Sequence, residues 1–271
     1  NSAVIGTMLR IAQADGVTST ATLTVANGFT NQGLMELSNA TVTNYGSQLV
    51  VTNGTFVNGP GATLTVLGGQ TPGGTRTIAA QLDNQGTIIT DVNLSLDRAG
   101  ADHLNTGTLL LNTGNIVVNQ TGTTPSFTNG GTISVGTGRT FAVTNGAFTN
   151  DVSGSVAGQG ALTFTNVTAA FGGGAPATEF FNSTASNLSL VNDASVGTAT
   201  WEFTNTVVVD DGAILTIPAG STVSLNASSL LTPVVNAGSL LVSAASAMND
   251  LTTASTSFIR VGSTAGGATT F

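Results

Sequence analysis

Cysteine and lysine are both absent from this 271-residue chain, and His103, Tyr45 and Trp201 are each the single residue of their type. Without lysine, no Lys-mediated isopeptide cross-link forms. Lack of cysteine suits an extracellular setting in which thiols would oxidise, although it is compatible with any compartment. Charge is scarce as well, at 7% of residues, and the five basic groups, Arg10, Arg76, Arg98, Arg139 and Arg260, are scattered. With a net charge of -8 and a pI near 4.1, the chain offers no clustered cations to displace counterions from a polyanion. Nucleic acid and anionic membrane surfaces are therefore excluded as expected partners. No apolar run approaches the ~20 residues of a spanning helix, so no transmembrane segment is expected. The first residue is Asn, which predicts a processed or excised chain, and no signal peptide is readable in it.

What is present points to strands. The sequence is 40% hydrophobic with mean hydropathy +0.30, which excludes a disordered chain. It holds 35 Gly, 47 Thr and 24 Asn, so its polar half consists of short hydroxyl and amide side chains that favour strands and tight turns.

A repeat runs through it. Phe29-Thr-Asn-Gln-Gly-Leu-Met-Glu-Leu37, Leu82-Asp-Asn-Gln-Gly-Thr-Ile-Ile-Thr90 and Phe127-Thr-Asn-Gly-Gly-Thr-Ile-Ser-Val135 share the pattern apolar, any, Asn, any, Gly, polar, apolar, any, apolar. Leu104-Asn105-Thr-Gly107-Thr-Leu-Leu-Leu111 fits with its Leu one place closer, and Val234-Val-Asn-Ala-Gly-Ser-Leu-Leu-Val242 repeats it late in the chain. Phe56-Val-Asn58 and Phe148-Thr-Asn150 begin it and run into longer turns. From Asn31 the recurring Asn falls at 58, 84, 105, 129 and 150, in steps of 27, 26, 21, 24 and 21. Steps of this size match one solenoid coil.

Between copies lie alternating runs such as Thr63-Leu-Thr-Val66 and Thr222-Val-Ser-Leu225. On a strand, alternation places the apolar side chains on one face and the hydroxyls on the other. One coil cannot cover its own apolar face, whereas stacked coils can. The predicted fold is all-β, a right-handed parallel β-helix (β-solenoid) with coils of about 21–27 residues, forming a single domain over 1–271. Asn31, Gly33, Asn58, Asn84, Gly86, Asn105, Gly107, Asn129, Gly131, Asn150, Asn236 and Gly238 are its expected corners. Gly would supply left-handed torsions there, and the Asn side chains would stack as a ladder.

The segment Asp211-Gly-Ala-Ile-Leu-Thr-Ile-Pro-Ala-Gly-Ser-Thr-Val-Ser-Leu225 resembles a coil from the parallel β-helix stalks of bacterial surface proteins, the autotransporter passengers and filamentous-haemagglutinin-like adhesins. Gly158-Gln-Gly-Ala-Leu-Thr-Phe-Thr-Asn166 is similar to the short strand repeat associated with autotransporters. The resemblance spans roughly residues 20 to 245, through degenerate motifs, and implies a secreted, elongated, non-catalytic stalk.

The ends differ from the middle. Residues 1–18 carry a helix-like apolar spacing at Val4, Met8 and Ile11, stopped by Asp15-Gly16; a cap is expected there, or alternatively an assembly strand. Residues 244–271 are expected to form a last coil or assembly segment, with Phe258-Ile-Arg-Val261 as its clear strand.

Few residues suggest chemistry. Asp97, Asp102 and His103 form the densest ionisable cluster, and Asp210-Asp211 is a candidate for calcium; no other cofactor is expected. Both are expected to be polar turns, the first with a local Asp–Arg pair. A polysaccharide lyase or hydrolase would need clustered carboxylates or cations and exposed aromatics, which the composition does not favour. Thr-x-Thr pairs at 22/24, 41/43, 63/65 and 163/165 raise ice or glycan binding as an alternative. Eight Asn-x-Ser/Thr sequons, Asn39, Asn53 and Asn166 among them, arise naturally from this composition. The leading expectation is a non-enzymatic extracellular surface module, a stalk, adhesin segment or fibre subunit, whose partner is a second copy met head to tail or an environmental or host glycan.

Overall fold

In the computed structural model, residues 3–5, 8–13, 18–42, 44–70 and 73–262 are described. They form a β-solenoid in which every strand pairing is parallel, and they contain no helix. Each coil visits three faces in turn. Face I contains Asp102–Asn105, Ser126–Asn129 and Ala147–Asn150, paired one above the next. Face II contains Thr87–Thr90, Thr108–Leu111 and Thr132–Val135. Face III contains Leu94–Leu96, Ile116–Asn119 and Thr140–Thr144.

Alternation determines the interior. On face I, Phe29, Phe56, Leu82, His103, Phe127 and Phe148 succeed one another as the inward residue, each 3% exposed or less. Face II stacks Met35, Leu64, Ile88, Leu109 and Ile133. Burying each such side chain contributes roughly 1.5–3 kcal/mol, and only the neighbouring coils make that burial available. From Phe127 onward the interior is an aromatic spine, with Phe148, Phe164, Phe181 and Trp201 linked by ring centroids 5.0–5.9 Å apart.

The corner between faces I and II carries the amide ladder. Asn31 Nδ2 donates to Asn58 Oδ1 at 2.9 Å, and the same bond recurs from Asn58 to Asn84, Asn84 to Asn105, Asn105 to Asn129 and Asn129 to Asn150 at 2.7–2.8 Å. All six residues are buried. Asn150 breaks the series, because the residue above it is Phe171. Asn236 shares the local turn but belongs to another corner: it ends a face II strand between Ile217 and Thr253, and its buried Nδ2 has no partner.

The corner glycines serve a different purpose from the one expected. Gly86, Gly107 and Gly131 do not have positive φ. A Cβ on Gly107 would instead be driven into the Gly86 carbonyl, and one on Gly131 into the Gly107 carbonyl. Close approach between coils, and not a left-handed torsion, makes glycine necessary there. The left-handed residues other than glycine sit at the corner between faces III and I, where Thr124, Asn145, Asn166, Ala185, Asn205, Ala227 and Ala244 have φ between 46° and 61°.

Coil length falls along the chain, from 27 residues between Asn31 and Asn58 to 18 between Ser228 and Ser246, below the expected range. In the C-terminal half a hydroxyl ladder appears at the III–I corner. Ser186 Oγ accepts from Val167 N at 3.1 Å, Ser228 Oγ from Thr206 N at 3.1 Å and Ser246 Oγ from Ser228 N at 3.2 Å. Each satisfies a backbone donor that the turn removes from the strand ladder.

The ends are strands. Ala3–Ile5 and Met8–Gln13 pair with the coil above, so the helix-like spacing does not produce a helix among the described residues. Of the apolar residues in that spacing, Ile11 is buried in register with Leu37, whereas Met8 faces out beside Leu34. Asp15 and Gly16 lie outside the described residues. Near the other end, Ala247–Met248, Leu251–Thr253 and Phe258–Gly262 add one rung to each face, and 263–271 lie outside the described residues.

Two predictions follow from the corners. Asn105→Ala removes two buried amide bonds and is expected to cost about 2–4 kcal/mol in guanidinium denaturation. Asn105→Asp is expected to cost more at neutral pH, because a carboxylate cannot donate to Asn129 Oδ1. Gly107→Ala, which collides with backbone, should cost more than Gly138→Ala, whose site at φ 67° is open, so that torsional strain of about 1–2 kcal/mol is its only penalty. Equal melting temperatures for the two glycine variants would refute the close-approach explanation.

Candidate functional site

The cluster from Asp97 to His103 does not form a polar turn throughout. Residues 97–101 turn, but Asp102–Asn105 is a face I strand, and its register is unbroken: Asn105 stacks on Asn84, which sets His103 beside Leu82. His103, and not Leu104, is therefore the inward residue, 3% exposed, while Leu104 faces out at 36%. Its Nδ1 accepts a hydrogen bond from Leu82 N at 3.2 Å, and its ring lies 6.2 Å from that of Phe127. Burial pushes its pKa down to about 4; the Arg98 charge adds to this and Asp102 opposes it. A neutral imidazole held in the core serves as packing, with one acceptor in use.

Nor do the neighbours form the expected Asp–Arg pair. Arg98 reaches back to the carbonyls of Val51 and Thr52, Asp97 accepts from Asn119 Nδ2, and Asp102 accepts from Ser126 Oγ at 2.7 Å. Asp83 and Asp102 line a shallow groove on face I with Thr55, Gln81, Ser126 and Thr128. Asp210 accepts from Gly212 N, and Asp211 accepts from Ser189 Oγ on the preceding coil. Among the described residues no three His, Asp or Glu side chains gather into a metal-binding group.

The most elaborate polar site is one the sequence reading passed over. Arg76 is fully buried and donates at 3.0 Å to four carbonyls, those of Leu67, Gly68, Gly73 and Gly74. It clamps the excursion between faces II and III, and desolvation lowers its pKa. The signal was the Gly-rich stretch Leu67-Gly-Gly69 and Gly73-Gly-Thr75 immediately before a lone Arg. Trp201 is 1% exposed, so the single tryptophan is a core residue and not a sugar platform.

The outer faces carry hydroxyl files. Thr63, Thr87, Thr108 and Thr132 stack in register on face II, followed by Ser155. Thr144, Thr165, Thr184 and Thr204 do so on face III. The Thr-x-Thr doublets do not recur from coil to coil: Thr63 and Thr65 lie beside Thr87 and Ile89, and Thr163 and Thr165 beside Asn182 and Thr184. Thr41 is buried, and Thr43 lies outside the described residues. The Asn39 sequon is buried too, closed to a glycan.

No protein-family model, curated protein or solved structure matches this chain.

The buried histidine makes stability depend on pH. The unfolded chain takes up a proton near pH 6.5, whereas the folded chain does so only near pH 4, so stability falls as pH drops across that window. The expected loss is roughly 3 kcal/mol. His103→Leu should flatten this part of the profile in denaturation melts between pH 7 and pH 4.5, at a constant cost of about 1 kcal/mol for the lost bond to Leu82 N. An unchanged slope in the variant would show that other groups are responsible.

Proposed function

We propose that this chain is an extracellular structural module, a rigid β-solenoid stalk or fibre subunit of the kind found in bacterial surface adhesins. The observation that carries this reading is the uninterrupted inward stack together with open edges at both ends of the described solenoid. Leu240 and Val242 are buried under the last rung, yet Ile259 and Val261, their equivalents on that rung, are 36% and 46% exposed. At the other end Leu23 and Val25 are only partly buried, whereas Leu49 and Val51 in the next coil are sealed. Among the described residues no further strand lies beside these end rungs; such an edge above an apolar floor favours strand addition, and a second copy offers matching rows on face III. The mechanism is mechanical: load passes along the backbone ladders of faces I and III, which stay paired from coil to coil.

A second reading assigns the in-register Thr files to glycan or ice. It is favoured by the four-residue files on faces II and III and weakened by their single-file width.

Negative-stain microscopy with light scattering across a concentration series tests the first reading. Filaments lengthening with concentration are the expected result. Monomeric rods at every concentration would overturn self-assembly, and glycan-array binding or inhibition of ice recrystallisation would then establish the second reading.

A further inference from the structure

The face II sheet is not continuous. Ala177 and Thr178 pair downward with Ala157 and Gly158, and Ala194 and Ser195 pair upward with Leu215 and Thr216, but no pairing joins the two rungs. The strands above the gap form a separate four-stranded sheet. On face I, Thr168–Phe171 remains paired with Asn187–Leu190, and on face III residues 180–184 with Thr200–Thr204.

The II–III corner changes form across the gap. Below the gap the chain rounds it as one bent strand, Ala177–Thr184; above the gap it makes a turn, with Ala199 N donating to Val196 O and Gly197 at φ 67°. The Gly172-Gly-Gly-Ala-Pro176 approach adds no stiffness, and Pro176 supplies no donor. A cleft lined by Gly158, Ala177, Thr178, Val196, Thr198 and Ala199 marks the gap. Ala194 and Val196 donate upward to Ile214 O and Thr216 O. Alternation along a parallel strand therefore turns the Ser195 N–H and C=O away from the upper rung, toward the gap. Neither polar ladder spans the gap on this side: the amide ladder stops at Asn150, and the hydroxyl ladder lies on the opposite corner.

We propose that this gap is a one-sided hinge, at which the solenoid bends by parting its coils on face II while faces I and III stay paired. Phe171, Phe181 and Trp201, packed across the joint, hold the closed side together. The inference does not depend on the stalk reading, since it concerns where the rod yields and not what it joins.

The test uses the intact chain. In amide exchange followed by NMR, Ser195 is expected to exchange about ten-fold or more faster than Ala194 and Val196. In electron micrographs, bends should concentrate at one position, nearer the C-terminal end. Protection of Ser195 equal to that of its neighbours, or rods that are straight or that bend evenly along their length, would overturn the hinge whatever the oligomeric state.

Discussion

Everything in this solenoid depends on coils meeting in register, and over the first half of the chain the buried amide ladder enforces that register. A side-chain amide both donates and accepts, so a column of them can bond end to end with no member left over. Shifting one coil by a single residue would bring an outward side chain such as Thr128 into the column, breaking two bonds and turning that strand's apolar row to solvent. The penalty for slippage is thus paid in hydrogen bonds and in burial together. The glycine two residues on makes the spacing possible, because the backbone of one coil rests against the carbonyl of the last.

The ladder ends where the column loses its amide, at Asn150. After Asn150 the column passes to Phe171 and Leu190, and packing takes over the interior. The polar work moves to the III–I corner, where Ser186, Thr206, Ser228 and Ser246 bond backbone groups close by. The split on face II falls in this changeover, between the end of one ladder and the full establishment of the other.

The Asn ladder was legible in the sequence because one residue type recurred in one local pattern at coil-sized steps of 21 to 27 residues. His103 was not, because a leucine stood next to it and hydrophobicity alone preferred Leu104 as the inward residue; only the stacking of Asn105 on Asn84 decides for His103. Asn236 misled for a related reason: a local Asn-x-Gly turn looks the same on any corner, and which face it closes depends on the lengths of all preceding coils. The left-handed corner was hidden because Asn and Ala both occupy it. Coil shortening was equally hidden, since the repeat fades where packing replaces the amides.

The arginines account for part of the unusual composition. Arg76, Arg98 and Arg139 all donate to backbone carbonyls at corners, Arg139 to Thr113 O at 2.9 Å. A planar guanidinium offers five donors in a fixed fork, which is how Arg76 satisfies four carbonyls that turn away from the strand ladders; an ammonium has three donors and no plane. The sole ion pair among the described residues joins a half-exposed Arg10 to a largely buried Glu36. Cations here serve the backbone, and a chain built on neutral ladders has little other use for them. Lysine's absence is consistent with that economy, and the same economy leaves cohesion along the rod insensitive to salt.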